Sequence, residues 1–231
     1  VSLTEDIIET VNEKYLWKGV ISPQEAVHLQ RQMAGRVIKR GEVSTAAYIA
    51  GIDIAIWEKS NSARAAIVVL KYPQLQIAEI QIAYGEITFP YIPGLLSFRE
   101  IPLILEAWQK LALSPDIIMV DGQGYAHPRR IGLASHLGLV LDIPTIGCAK
   151  SRLCGDYQMP SEEAGCYSNI TDNGEIIGAV LRTKTGVKPV FISVGHKISL
   201  ENAIYWVREC CRGYRLPQPT RLAHLAAGGN L

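Results

Sequence analysis

The apolar positions of the chain change period as the sequence proceeds. Residues 4–16 and 23–40 carry helical spacing. Ser22 before Pro23, with Glu25 three residues after it, predicts an N-cap and a capping box. From Tyr48 to Trp57 the period drops to two, with Ile52, Ile54 and Ile56 alternating against Gly51, Asp53 and Ala55. Residues 65–72 and 75–84 are further strand-like runs joined through Pro73, which predicts an antiparallel meander of three strands. Phe98, Ile101, Leu105, Trp108 and Ala112 then share one helical face. Ile117–Val120 is a short, wholly apolar strand, residues 131–140 a helix, and residues 144–148 a second buried strand. Two more strands, 176–182 and 190–194, precede helices over 200–211 and 220–227. This order predicts an α/β fold: a mixed sheet of three antiparallel strands followed by β-α-β units, with helices packed on the sheet. One domain over residues 1–231 is expected, with residues 1–43 a helical segment packed on it. There is no internal repeat, linker or low-complexity stretch.

Composition narrows the class. Of 231 residues, 48% are hydrophobic and 19% charged, which excludes intrinsic disorder. A chain of this length buries roughly 70–75% of its unfolded surface without staples. No apolar run reaches membrane-spanning length, and residues 1–13 are too acidic for a signal peptide, so no membrane partner is expected. A cytoplasmic location, in keeping with the cysteines below, and a monomeric state are expected as well. A first residue other than Met implies a processed or trimmed N-terminus. The net charge of +1 means that any nucleic-acid affinity must come from a local basic patch. The five cysteines, at 148, 154, 166, 210 and 211, form no CxxC pair, which argues for reduced, inert thiols rather than zinc.

Three carboxylates stand out. Asp53 interrupts AGIDIAI, where aspartate is disfavoured, and its neighbours Gly51 and Ala55 leave room for something to approach. A carboxylate in a core strand costs several kcal/mol unless paired or metal-bound. Asp121 ends the apolar run IIMV and precedes Gly122 and Gly124, which permit close backbone approach or positive φ; ligands on α/β sheets bind beyond such strand ends. Glu100 fits a capping box with Ser97, although Pro102 sits awkwardly in that assignment, and it lies off the apolar face of its helix. Three carboxylates on separate elements suit a hard divalent cation such as Mg²⁺, and such sites perform phosphoryl transfer. Arg99, Arg129, Arg130, Lys150 and Arg152 supply charge for phosphate contacts. Lys150 follows a buried strand and is the best placed. His127 follows the Asp121 loop, and His224 lies on the terminal helix. In PYIPG, Pro90 and Pro93 stiffen a loop presenting Tyr91 and Ile92, a wedge for a base stack or a turn whose ring packs on the domain.

Together AGIDIAI, PYIPGLLSFREIPLILEAW, DGQGYAHPRRIGLASHLGL, IPTIGCAKSRL and PTRLAHL resemble the endonuclease V family, most strongly over residues 90–153. The resemblance implies a ribonuclease H-like fold. It implies a Mg²⁺-dependent endonuclease, with Mn²⁺ as substitute, acting on DNA that contains deaminated bases, chiefly deoxyinosine. The cut falls at the second phosphodiester bond 3′ to the lesion. By the same match Asp53 and Asp121 are expected as metal ligands, Glu100 as a third catalytic carboxylate and Lys150 as a catalytic or phosphate-stabilising charge. His224 is expected at or behind the metal. Tyr91 is expected as the DNA wedge, framed by Pro90, Ile92 and Pro93. Leu96, Gly122, His127, Gly132 and Leu133 are expected around a pocket for the flipped base. Cys148 stands where the family pattern has valine, a small apolar exchange.

Other readings compete. An endoribonuclease directed at inosine-containing RNA would use the same fold and metal site, the 2′-hydroxyl deciding. A catalytically silent nucleic-acid-binding module is disfavoured by the presence of Asp53, Glu100, Asp121 and Lys150 together. A small-molecule phosphohydrolase is disfavoured by PYIP and by the Arg129–Arg130 pair.

Overall fold

A computed structural model describes residues 11–231. The period-two run forms β1 (Tyr48–Trp57), followed by β2 (Ser62–Lys71) and β3 (Gln76–Glu86) in the antiparallel meander that the alternation requires. Preceding it is α1 (Pro23–Ala34), opened by the expected capping box: Ser22 N donates to Glu25 Oε2 at 2.8 Å and Glu25 N to Ser22 Oγ at 3.3 Å. Next come α2 (Leu96–Trp108), β4 (Ile117–Val120), α3 (Leu133–Leu141) and β5 (Thr145–Ala149). They are followed by β6 (Tyr167–Asp172), β7 (Glu175–Leu181), β8 (Val190–His196), α4 (Leu200–Glu209) and α5 (Gln218–Gly228). All eight strands form one mixed sheet in the order β3-β2-β1-β4-β5-β8-β7-β6. Only the central pairs β1–β4 and β4–β5 are parallel.

The sheet separates two cores. Alternate residues of β1 point to opposite faces. Ala50 and Ile52 join Phe98, Ile101, Leu105 and Leu137 under α2 and α3, whereas Ile49 joins Trp206, Leu222 and Ala226 under α4 and α5. A smaller cluster of Ile170, Ile177, Val180 and Phe191 lies under β6 and β7. The thiols are free. Cys148 and Cys210 are buried, and burial pushes the Cys210 thiol up to about 12, which keeps it protonated and inert.

Four local expectations are corrected. α1 stops at Ala34 rather than 40, because Gly35 follows and residues 36–40 offer three cations and no apolar face. Of the segment 4–16, only a single 3₁₀ turn, Glu13–Tyr15, falls among the described residues, and residues 4–10 lie outside them. β6 was not expected: YSNITD buries one residue, Ile170, so an edge strand left no apolar alternation to read. Ser97 is no cap. α2 begins at Leu96, and Ser97 is buried inside it with Oγ 3.0 Å from His136 Nδ1.

Candidate active site

The register of the two central strands brings the carboxylates together. Ile52 pairs with Val120 at the last rung of β1–β4, and Asp121 N donates to Ile52 O at 3.0 Å. The next residues, Asp53 and Asp121, therefore stand side by side where β4 ends. Both side chains are largely buried, at 11% and 8% exposure. Burial, and after it the negative charge of Asp121, raises the Asp53 carboxyl above its ordinary value; the His224 hydrogen bond opposes this.

His224 arrives from α5. The room expected beside Asp53 is taken by this helix, whose backbone at Pro219 lies directly against Gly51. From that contact α5 runs along β1 and places His224 Nδ1 2.7 Å from Asp53 Oδ2. One ligand atom each from Asp53, Asp121 and His224 falls within 4.8 Å of the other two. Two carboxylates and an imidazole fit a divalent cation that prefers oxygen and tolerates nitrogen.

Lys150, just past the end of β5, pairs with Asp121 Oδ2 and lies 3.4 Å from His224 Nδ1. Its own carbonyl is held by Arg215 Nη2, which also donates to Pro189 O at 2.8 Å. Glu100 stands outside the three-residue cluster. It lines the adjoining cleft together with Asp121, and its carboxyl is pushed up to about 8. Burial is the main cause, then the charge of Asp53; Arg99 opposes them and Asp121 adds to the rise. A carboxyl in that range is matched to proton transfer near neutral pH.

The cleft has a volume of about 370 Å³, within the usual size of a small-ligand site. All five residues expected around a base pocket line it: Leu96, Gly122, His127, Gly132 and Leu133. Neither Gly122 nor Gly124 adopts positive φ; the need at Gly124 is close approach, its α-carbon packing against the Val194 carbonyl of β8. Tyr91 and Pro93 stand at the cleft, with Tyr91 63% exposed, so its ring is not packed into the domain. Pro90 is exposed outside the cleft lining. Ile92 is partly buried and packs against the core, which anchors the loop behind Tyr91.

His127 is a clamp. Nδ1 accepts from Arg129 N at 3.1 Å, which leaves Nε2 to donate to Gly94 O at 3.1 Å. Burial, then the nearby charge of Arg129, pushes the imidazole down to about 4, so the ring is neutral and both nitrogens are engaged. The same Gly94 carbonyl receives Gln30 Nε2 at 2.9 Å and Arg129 Nη2 at 2.7 Å. Three donors thus fix the end of the PYIPG loop. Sequence reasoning missed Gln30, although a signal existed: it lies on the buried face of α1 between Ala26 and Met33. Most of the expected phosphate-binding cations are engaged elsewhere. Arg99 pairs with Glu58, Arg130 with Asp172 and Glu175, Arg152 with Asp156, and Arg129 with Gly94. Among these, only Lys150 reaches the carboxylates.

Comparison with known proteins agrees with this geometry. Residues 31–225 match the profile of the endonuclease V family. The chain is 53% identical over 217 residues to the endonuclease V of Dehalococcoides mccartyi, covering 94% of this chain and 97% of that relative. The crystal structure of the Bacillus subtilis endonuclease V matches with a TM-score of 0.90 at 33% identity, covering 95% of this chain and 96% of that one. The Ciona intestinalis endonuclease V, in complex with a 24mer DNA containing an inosine followed by a ribo-adenosine, matches with a TM-score of 0.78 at 28% identity, covering 89% and 96%. Fold and site define a nuclease of the ribonuclease H-like class. The chain belongs to the endonuclease V family.

Proposed function

We propose that this protein is a DNA repair endonuclease. It takes a deaminated base, chiefly hypoxanthine of deoxyinosine, into the cleft and hydrolyses the second phosphodiester bond 3′ to it. The carrying observation is that Lys150 belongs to both the cleft wall and the carboxylate–imidazole cluster, so a nucleotide in the cleft has a neighbouring phosphate at the cluster. Asp53, Asp121 and His224 would hold Mg²⁺, for which Mn²⁺ substitutes. A bound cation of this kind neutralises phosphate charge and acidifies water.

The chain's own residues supply the rest. Lys150 offers its ammonium to the phosphate oxygens as charge develops. Glu100, with a carboxyl titrating near neutrality, exchanges a proton at its carboxylate with the attacking water or the leaving oxygen. Tyr91 fills the gap left in the stack when the base leaves it, and the Gly94 lock holds that loop rigid. Flipping costs a few kcal/mol, less for a poorly paired base such as hypoxanthine, and this favours the lesion. All strands belong to one sheet, which supports a single endonuclease domain; we take it to act as a monomer. No helix among the described residues is long and apolar enough to cross a membrane; we assign its work to the cytoplasm.

The test is one gel. End-labelled duplexes carrying deoxyinosine, uracil, an inosine ribonucleotide or no lesion are incubated with Mg²⁺, Mn²⁺ or EDTA. The expected result is a metal-dependent nick at the second bond 3′ to deoxyinosine; equal cutting of undamaged duplex would overturn the reading. A further duplex with a ribo-adenosine following the inosine matches the nucleic acid of the Ciona complex.

A further inference from the structure

Three residues from adjacent strands meet on the face of the sheet that carries Asp53. Arg64 of β2 is directly opposite both Ala55 of β1 and Tyr84 of β3. Residues paired across a ladder share a face, as do alternate residues of one strand. Asp53, Ala55, Trp57, Arg64 and Tyr84 therefore project to one side. The Arg64 guanidinium lies 5.6 Å from the centre of the Trp57 ring and 5.0 Å from that of Tyr84. Trp57 is 44% exposed and Tyr84 66%. Among the described residues Arg64 makes no hydrogen bond or ion pair, and its Nε is buried without a partner. A cation without a carboxylate, held between two open aromatic faces, offers the chemistry that binds a phosphate beside a stacked base or sugar.

The cluster is continuous with the site. A cavity of about 220 Å³ is lined by Asp53, Ala55, Lys150, His224, Gly228 and Asn230. Gly229, between the last two, packs against the Arg64 guanidinium. The surface thus runs from the base cleft, over Lys150 and the carboxylates, past the end of α5, to Arg64 and its two rings. The cleft is on one side of the carboxylates and the aromatic pair on the other. From Asp53 to Trp57 is four residues, about 13 Å of strand, or roughly four base steps at 3.4 Å.

We propose that Trp57, Arg64 and Tyr84 form a platform for the cut strand on the 3′ side of the scissile phosphate. The platform rests on the inosine-directed nuclease reading and gives it a direction. A strand entering from the cleft and cut 3′ to the lesion continues onto these residues. The rings take bases or sugars, and Arg64 takes a phosphate.

The test is fluorescence anisotropy, in EDTA, of labelled inosine duplexes of two lengths: one ending about two base pairs past the cut and one extending about ten further. The wild-type protein is expected to bind the long 3′ arm about 5- to 10-fold more tightly, on the scale of one aromatic contact. Trp57→Ala and Tyr84→Ala should each bring that ratio close to one with an unchanged melting temperature. Arg64→Ala should lower the slope of log affinity against log salt by about one for the long arm. A long-to-short ratio that stays at the wild-type value in Tyr84→Ala overturns the platform, as does equal weakening on both lengths. A wild-type protein with no preference for inosine over undamaged duplex refutes the functional reading instead, and the ratio measured on undamaged duplex then decides the platform separately.

Discussion

Gly51 of β1 and Pro219 of α5 touch backbone to backbone, and a β-carbon at Gly51 would collide with the Pro219 carbonyl. That contact sets how closely α5 lies on the sheet, and His224 projects from the same helix toward Asp53. Gly51→Ala should therefore push the helix outward. The expected outcome is a loss of about 1–3 kcal/mol in denaturant unfolding, the usual cost of overpacking. Nicking should fall further than the population of folded protein explains.

Asp53→Asn and Asp121→Asn should each abolish metal-dependent nicking, by about 100-fold or more if several kcal/mol of charge stabilisation is lost. Each change also removes one of two neighbouring buried charges. Without metal, both variants should melt at or above the wild-type temperature. A variant that nicks at the wild-type rate refutes the metal-site assignment.

Tyr91 is exposed at the cleft, while its neighbour Ile92 anchors the loop in the core. Tyr91→Ala should leave the melting temperature unchanged and lose about 1–3 kcal/mol of binding to inosine duplex, with little change on undamaged duplex. Ile92→Ala should do the reverse and destabilise the fold. Paired melting and binding curves separate the two.

His136 is a core residue: Nε2 donates to Tyr15 O at 2.9 Å, and Nδ1 accepts from Ser97 Oγ. Burial pushes it from 6.5 down to about 4, while the hydrogen bond to Tyr15 opposes the shift. Between those values the unfolded chain binds the proton and the folded one does not. The stability tied to this group is complete above about pH 6.5 and is lost as pH falls toward 4, by about 2 kcal/mol between pH 7 and pH 5. Glu100, with its carboxyl raised, works in the opposite sense. The quantity to measure is therefore the pH dependence of unfolding in wild type minus that in His136→Asn, which should be positive and of this size.

The strands were legible where burial on a face imposed a period, and the misses have two causes. β1 and β4 carry alternation or unbroken apolar runs, and their bounds agree with the reading. β6 is an edge strand with polar residues on both faces, so no period survives. Asp53 and Asp121 could be singled out because a carboxylate in an apolar run contradicts its surroundings. Their adjacency depends on the β1–β4 register, a long-range property that local pattern does not contain. Gly51 was legible as a place of close approach, but the approaching element was α5 rather than a ligand. The Gly94 lock was hidden for the same reason, since its donors come from residues 30, 127 and 129 and meet only after folding.

The docking of α5 has a consequence in time. Asp53 and His224 are 171 residues apart. At 5–20 residues per second, ribosomes make the imidazole roughly 10–30 s after the carboxylate. Once residue 121 has been made, a nascent chain has the strands that set Asp53 beside Asp121, yet it has no helix to close over Gly51. In the proposed metal site the imidazole is therefore the last of the three ligands to be made, and the cluster closes only when α5 docks on β1.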